Sequence, residues 1–181
     1  MKGKLTKWVV ILIGMGVAIA AVAWSTQQSG QGSQSRVPMG VTTGYHLPSF
    51  TLTNLATQQA VTVSGQSGKP MLINFWASWC PPCQEETPDL VAAYKQYGKK
   101  VEFIGVDLTV QDSLSNVKNF VQQYGVPYTV LLDQNGSTAQ QFQVVGIPTS
   151  LFVDSAGQII DRYTGAVPPQ VLHMDLQKIS G

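Results

Sequence analysis

Cys80 and Cys83 are the only cysteines among 181 residues, and they stand three apart in the stretch NFWASWCPPCQEETPDL. Such a pair could be a structural bridge, half of a metal site or a redox couple. A bridge over so short a loop restrains the unfolded chain little, because the entropy it removes grows with loop length. A zinc site needs four ligands, and only His46 and His173 remain as softer donors, with no second CxxC. No metal and no cofactor are expected. A redox couple needs one thiolate-prone cysteine and a second to resolve the mixed disulfide. Cys80 heads a helical pattern, where unpaired N–H groups and the helix dipole favour an anion. Cys83 lies one turn further in. The expected sequence is attack by an exposed Cys80 followed by resolution by a more enclosed Cys83. Trp79 either offers a flat apolar rim to a partner chain or simply packs.

The elements around the pair have to present it. MLINFWA, directly upstream, is a nearly continuous apolar run and reads as a buried central strand. Downstream, Leu90, Val91, Tyr94 and Tyr97 recur at helical spacing and Gly98 supplies a stop. Ahead of these, SFTLTNL and AVTVSG alternate with period 2 and predict a β-hairpin. Further on, VEFIGVDL and TVLLD read as strands. SLSNVKNFVQQYG reads as a helix capped by Ser113 or Ser115 and closed by Gly125. STAQQFQV predicts a short helix, TSLFVD and IIDRYTG a hairpin around SAGQ, and PPQVLHMDLQKI a final helix opened by proline. Alternating strands and helices predict an α/β fold with a central mixed sheet flanked by helices. The thiol pair then falls at a strand end, where open α/β sheets place their sites.

The N-terminus carries a different signal. After Lys2, Lys4 and Lys7 comes WVVILIGMGVAIAAVAW, residues 8 to 24, with no charged side chain. As a helix it would reach roughly 26 Å, close to the hydrocarbon thickness of a bilayer. Trp8 and Trp24 stand at the two ends, where indoles favour the interface, and the lysines should stay in the cytoplasm. Residues 1–24 are therefore expected to be a transmembrane signal-anchor. Ala21-Val22-Ala23 keeps a cleaved secretory signal open as the competing reading. Residues 25–45, rich in Ser, Gln and Gly, read as a flexible linker, and 46–181 as the working domain outside the cytoplasm. Setting aside the three lysines leaves 8 basic residues against 10 acidic ones. There is no basic stripe, and no nucleic acid is expected as partner.

NFWASWCPPC, followed about seventy residues later by GIPTSLFVD, closely resembles thioredoxin-fold oxidoreductases. Within them residues 46–181 look like the membrane-tethered, extracytoplasmic ResA/TlpA-type thiol-disulfide reductases. The resemblance implies that Pro148 is a cis-proline beside the active site and that Ile147 pairs through its backbone with a bound partner. Otherwise Pro148 would be an ordinary strand-entry proline. It implies that Glu86 shapes the site, against the plain reading of a solvated first-turn acid favoured by the helix dipole. It implies that Pro88 kinks the active-site helix. Its further implications are a monomer, a protein disulfide substrate such as the CxxCH of apocytochrome c, and a membrane thiol-disulfide electron donor.

One departure matters. Cytoplasmic thioredoxins carry an aspartate where this chain has Asn74, and an amide cannot accept the proton of the resolving thiol. Glu86 is the nearest substitute in sequence. Pro81 and Pro82 supply no N–H to steady a Cys80 thiolate, which favours a reductant over a disulfide-introducing oxidase. A peroxiredoxin is excluded, because Ile73 and Ala77 stand where it needs Pro and Thr or Ser. A non-catalytic binding module is the third class and would keep its function without the cysteines.

Overall fold

The computed structural model describes residues 39–181. The expected membrane anchor at 8 to 24 lies outside these residues. No helix among the described ones is long and apolar enough to cross a membrane.

Seven strands form one sheet in the order β2-β1-β5-β4-β3-β6-β7. These are β1 (Phe50–Asn54), β2 (Ala60–Val63), β3 (Met71–Trp76), β4 (Glu102–Asp107), β5 (Thr129–Leu132), β6 (Thr149–Val153) and β7 (Ile159–Thr164). The helices are α1 (Pro81–Tyr97), α2 (Leu114–Tyr124), α3 (Ser137–Gln141) and α4 (Pro169–Ser180). β3 runs parallel to β4, and β4 to β5, while the other pairings are antiparallel. The sheet is mixed, as its alternating elements predict. Every residue of β3 is buried, which explains why its sequence is continuously apolar rather than alternating.

Successive side chains of a strand point to opposite faces, and the core divides accordingly. Ile73, Phe75, Ile104, Val106 and Leu131 pack on one face with Phe142, which follows α3, and with Phe50 and Leu52 of the hairpin. On the other face Leu72 and Phe103 meet Leu90 and Ala93 of α1 and Leu172 and Leu176 of α4. Trp76, Val130 and Leu132 meet Val117 and Phe120 of α2, together with both cysteines. α2 begins where Ser113 Oγ accepts the Asn116 N–H at 3.2 Å. It ends at Gly125 with φ 58°, a left-handed conformation that glycine adopts without penalty.

Of the linker expected over residues 25–45, residues 25–38 lie outside the described ones, whereas residues 39–45 are bound to the sheet. Gly44 N–H donates to the Ile159 carbonyl at 2.8 Å and Ile159 N–H to the Tyr45 carbonyl at 2.9 Å. Arg162 Nη1 donates to the Val41 carbonyl at 2.9 Å. Unpaired backbone groups along the start of β7 account for this. They capture a segment, MGVTTGY, that carries no apolar periodicity, and Val41 packs against the core.

Candidate active site

β3, β4 and β5 run parallel, so their C-terminal ends open on the same edge of the sheet. The Ala77–Cys80 turn follows β3 there, the Leu108–Ser113 loop follows β4, and Asp133 follows β5. Cys80 is the N-cap of α1 and Cys83 its third residue, because Pro81 and Pro82 occupy the first two helical positions. Proline suits those positions, since their N–H groups have no partner within the helix. The two cysteines are joined as a disulfide with Cα atoms 5.3 Å apart. Cys80 Sγ accepts the Cys83 N–H at 3.3 Å and lies 3.7 Å from the Ile147 carbonyl oxygen. The expected contrast in exposure is absent in the disulfide form: Cys80 is 3% and Cys83 2% exposed. What distinguishes them is position at the helix end.

The Ile147–Pro148 peptide bond is cis, and the carbonyl at that bond faces the disulfide. Trp79 is 51% exposed, while its indole N–H donates to the Gln111 carbonyl at 2.9 Å. It is therefore both held and presented. Val145, 92% exposed two residues before Ile147, was not among the residues expected at the site. Pro88 lies inside α1. Lacking an N–H, it leaves the Gln84 carbonyl without its helical donor. One residue earlier, the Thr87 hydroxyl donates to the Cys83 carbonyl at 2.6 Å.

Glu86 differs from the solvated first-turn acid. It lies beyond the first turn and is 3% exposed. Three residues after Cys83 it shares a helix face with that sulfur. Asn74 Nδ2 donates to Glu86 Oε1 at 3.3 Å and to Ser150 Oγ at 3.0 Å. Glu86 Oε2 is buried without a hydrogen-bond partner. Burial raises the carboxyl from 4.5 to about 7, opposed by the Val167 backbone N–H and the Ser150 hydroxyl and reinforced by the Asp89 charge. The phenol of Tyr128 is pushed up by its own burial and then by the Glu86 charge. Ser150, Val167 and Tyr128 carry no sequence signal as site residues, because they reach Glu86 only through folding.

A second group of carboxylates lies across the turn. Ser78 N–H donates to Asp112 Oδ2 at 2.7 Å and Ser78 Oγ to Asp112 Oδ1 at 2.8 Å. Asp107, fully buried at the end of β4, accepts the Thr109 hydroxyl at 2.6 Å. Neither aspartate is conspicuous in the sequence.

The Redoxin family matches residues 42–178. Thiol-disulfide oxidoreductase ResA of Bacillus cereus is 30% identical over 180 residues, covering 99% of this chain and 98% of that protein. ResA of Bacillus thuringiensis subsp. konkukian is 33% identical over 138 residues, 76% of this chain and 78% of that one. The crystal structure of a thiol:disulfide interchange protein of the thioredoxin family from Chlorobium tepidum TLS superposes with a TM-score of 0.67 at 26% identity, covering 80% of this chain and 100% of that one. The chain belongs to the ResA-like thiol-disulfide oxidoreductases of the Redoxin family.

Proposed function

We propose that this chain reduces disulfides in exported proteins from the extracytoplasmic side of a membrane, held there by residues 1–24 and the linker that follows. Its substrate is the CxxCH disulfide of apocytochrome c, and its electrons come from a membrane thiol-disulfide donor. In the reducing step the Cys80 thiolate attacks one substrate sulfur, forming a mixed disulfide and releasing the other sulfur as a thiolate that takes a proton from water. Cys83 gives its proton to the Glu86 carboxylate, and its thiolate attacks Cys80 Sγ. The second substrate sulfur leaves as a thiolate and takes the proton now held by Glu86, and two electrons have passed from the dithiol to the substrate. Glu86 suits this role because a carboxyl poised near 7 exchanges protons close to neutral pH. Asn74 holds the acid in place rather than replacing it. Ile147 offers its backbone to the substrate strand beside Pro148, and Trp79 offers an apolar rim.

The observation that carries the reducing direction is the cap of α1. A sulfur at an N-cap ordinarily has several free N–H groups before it. Here prolines fill the first two positions, and Cys83 N–H is the donor at 3.3 Å. A thiolate held by one such bond is weakly stabilised, so the reduced form gives up its electrons readily. The test is the midpoint potential of the Cys80–Cys83 couple by glutathione or dithiothreitol equilibrium. It should lie nearer the value of about −270 mV for thioredoxin than that of about −120 mV for DsbA. A potential at the oxidising end would replace this reading with that of a disulfide-introducing oxidase.

A further inference from the structure

We propose that Asp112 is a positioning residue for the attacking thiol, clamping the Ser78–Trp79 turn that delivers Cys80, with buried Asp107 backing the clamp. The proposal rests on the reading that Cys80 is the attacking group. The turn between β3 and α1 is short and is suspended mostly from the loop after β4. Both oxygens of Asp112 are engaged: Oδ2 takes Ser78 N–H at 2.7 Å, and Oδ1 takes Ser78 Oγ–H at 2.8 Å and Ser113 N–H at 2.7 Å. The neighbouring Gln111 carbonyl takes the Trp79 indole N–H. From the other side, Gln84 Nε2 donates to the Ser78 carbonyl at 2.8 Å. Bonds to a carboxylate are among the stronger hydrogen bonds, and two from one residue fix orientation as well as distance. The loop that bears Asp112 is itself tied to the sheet, by Leu108 N–H to the Trp76 carbonyl at 2.9 Å and Val110 N–H to the Asp133 carbonyl at 3.1 Å. Cys80 is thus referenced to the ends of three strands through one side chain.

Asp107 pairs in register with Trp76 on β3, whose side chain does not titrate. It is fully buried, and its Oδ2 has no hydrogen-bond partner. The charged groups that face it are Asp112 from the loop and Asp133 from the end of β5. Asp133 is occupied by the N–H groups of Thr138 and Ala139. Burial first, and then these acids, raise Asp107 to about 7. Protonated, Asp107 can donate to Asp112 and steady the clamp. Ionised, it repels Asp112 and loosens it. The clamp should therefore slacken as pH rises through about 7, separately from any effect of Glu86.

The experiment reads Cys80 directly, in full-length protein carrying Cys83→Ser, as its second-order rate of alkylation by iodoacetamide across pH. Slow alkylation of Cys80 in that parent would refute the attacking role itself. Against a reactive parent, Asp112→Ala should change the rate at neutral pH by about tenfold, and Ser78→Ala, which keeps the backbone bond, by less. In protein retaining both cysteines, the same changes should lower kcat/KM for a disulfide peptide by about ten- to a hundredfold, the scale expected of small misplacements. In a Glu86→Gln background, alkylation should show, beside the rise that Cys80's own ionisation causes, an inflection near pH 7 that Asp107→Asn removes. Alkylation by Asp112→Ala and Ser78→Ala equal to the parent would overturn the proposal. So would an Asp107→Asn profile that coincides with that of its parent. If Asp112→Ala fails to fold, the Ser78 and Asp107 variants decide alone.

Discussion

Glu86→Gln separates the effect of burying an acid from the effect of using it. The carboxyl is 3% exposed, and burial raises it from 4.5 to about 7. Between those values the native state holds a proton that the unfolded chain has released. Stability therefore falls as pH rises across that window and levels off above about 7. At about 1.4 kcal/mol per pH unit, this side chain alone removes on the order of 3 kcal/mol by pH 8. Glutamine has no charge to bury and keeps an oxygen for Asn74 Nδ2. Guanidinium unfolding of the oxidised protein should then show the variant within about 1 kcal/mol of the parent at pH 4 and roughly 3 kcal/mol more stable at pH 8. The effect exceeds the ~1 kcal/mol available to a solvated acid acting through the helix dipole. Catalysis should move the other way, with reduction of a CxxC peptide slowed by about a hundredfold for want of a proton acceptor and the thiol titration displaced. Parallel stability curves for parent and variant would refute the burial argument. An unchanged thiol titration would refute the link between Glu86 and Cys83.

Cys80→Ser should abolish exchange, and Cys83→Ser should accumulate mixed disulfides visible on non-reducing gels; accumulation by Cys80→Ser instead would reverse the two roles. Asn74→Asp removes the amide donor to Glu86 and Ser150 and sets a second carboxyl beside the first. The Glu86 titration, followed by NMR, should shift further upward, and stability at pH 8 should fall by about 1 to 3 kcal/mol. If residues 8 to 24 stay in the bilayer, carbonate washing should leave the protein in the membrane fraction with a mature N-terminus at or near Met1. A terminus at Trp24 would establish cleavage.

The thiol pair, its helix and the strand before it were legible in the sequence because their signals are local. Cys80 and Cys83 are three apart, Pro81 and Pro82 open a helix, and the apolar run ahead of them has no polar face. The helix from Leu114 to Tyr124 and the hairpin from Thr149 to Thr164 were equally readable, the first from Ser113 and Gly125 at its ends and the second from the turn SAGQ. Burial of Glu86 was not. A glutamate in a helix shows only its spacing, and its environment is decided by Asn74 and by Ser150, 76 residues from Asn74 along the chain. Residues 39–45 read as linker because they continue a Ser, Gln and Gly-rich stretch without apolar periodicity, yet the edge of β7 holds them. Asp107 and Asp112 read as a strand end and a loop acid. Parallel pairing of β3 with β4 brings the C-terminal ends of both strands to one edge, and that alone sets Asp112 against Ser78. Local chemistry placed the sulfurs, whereas the proton on Glu86 and the hold on Cys80 depend on which strands lie side by side, a matter of long-range pairing that no short window of sequence contains.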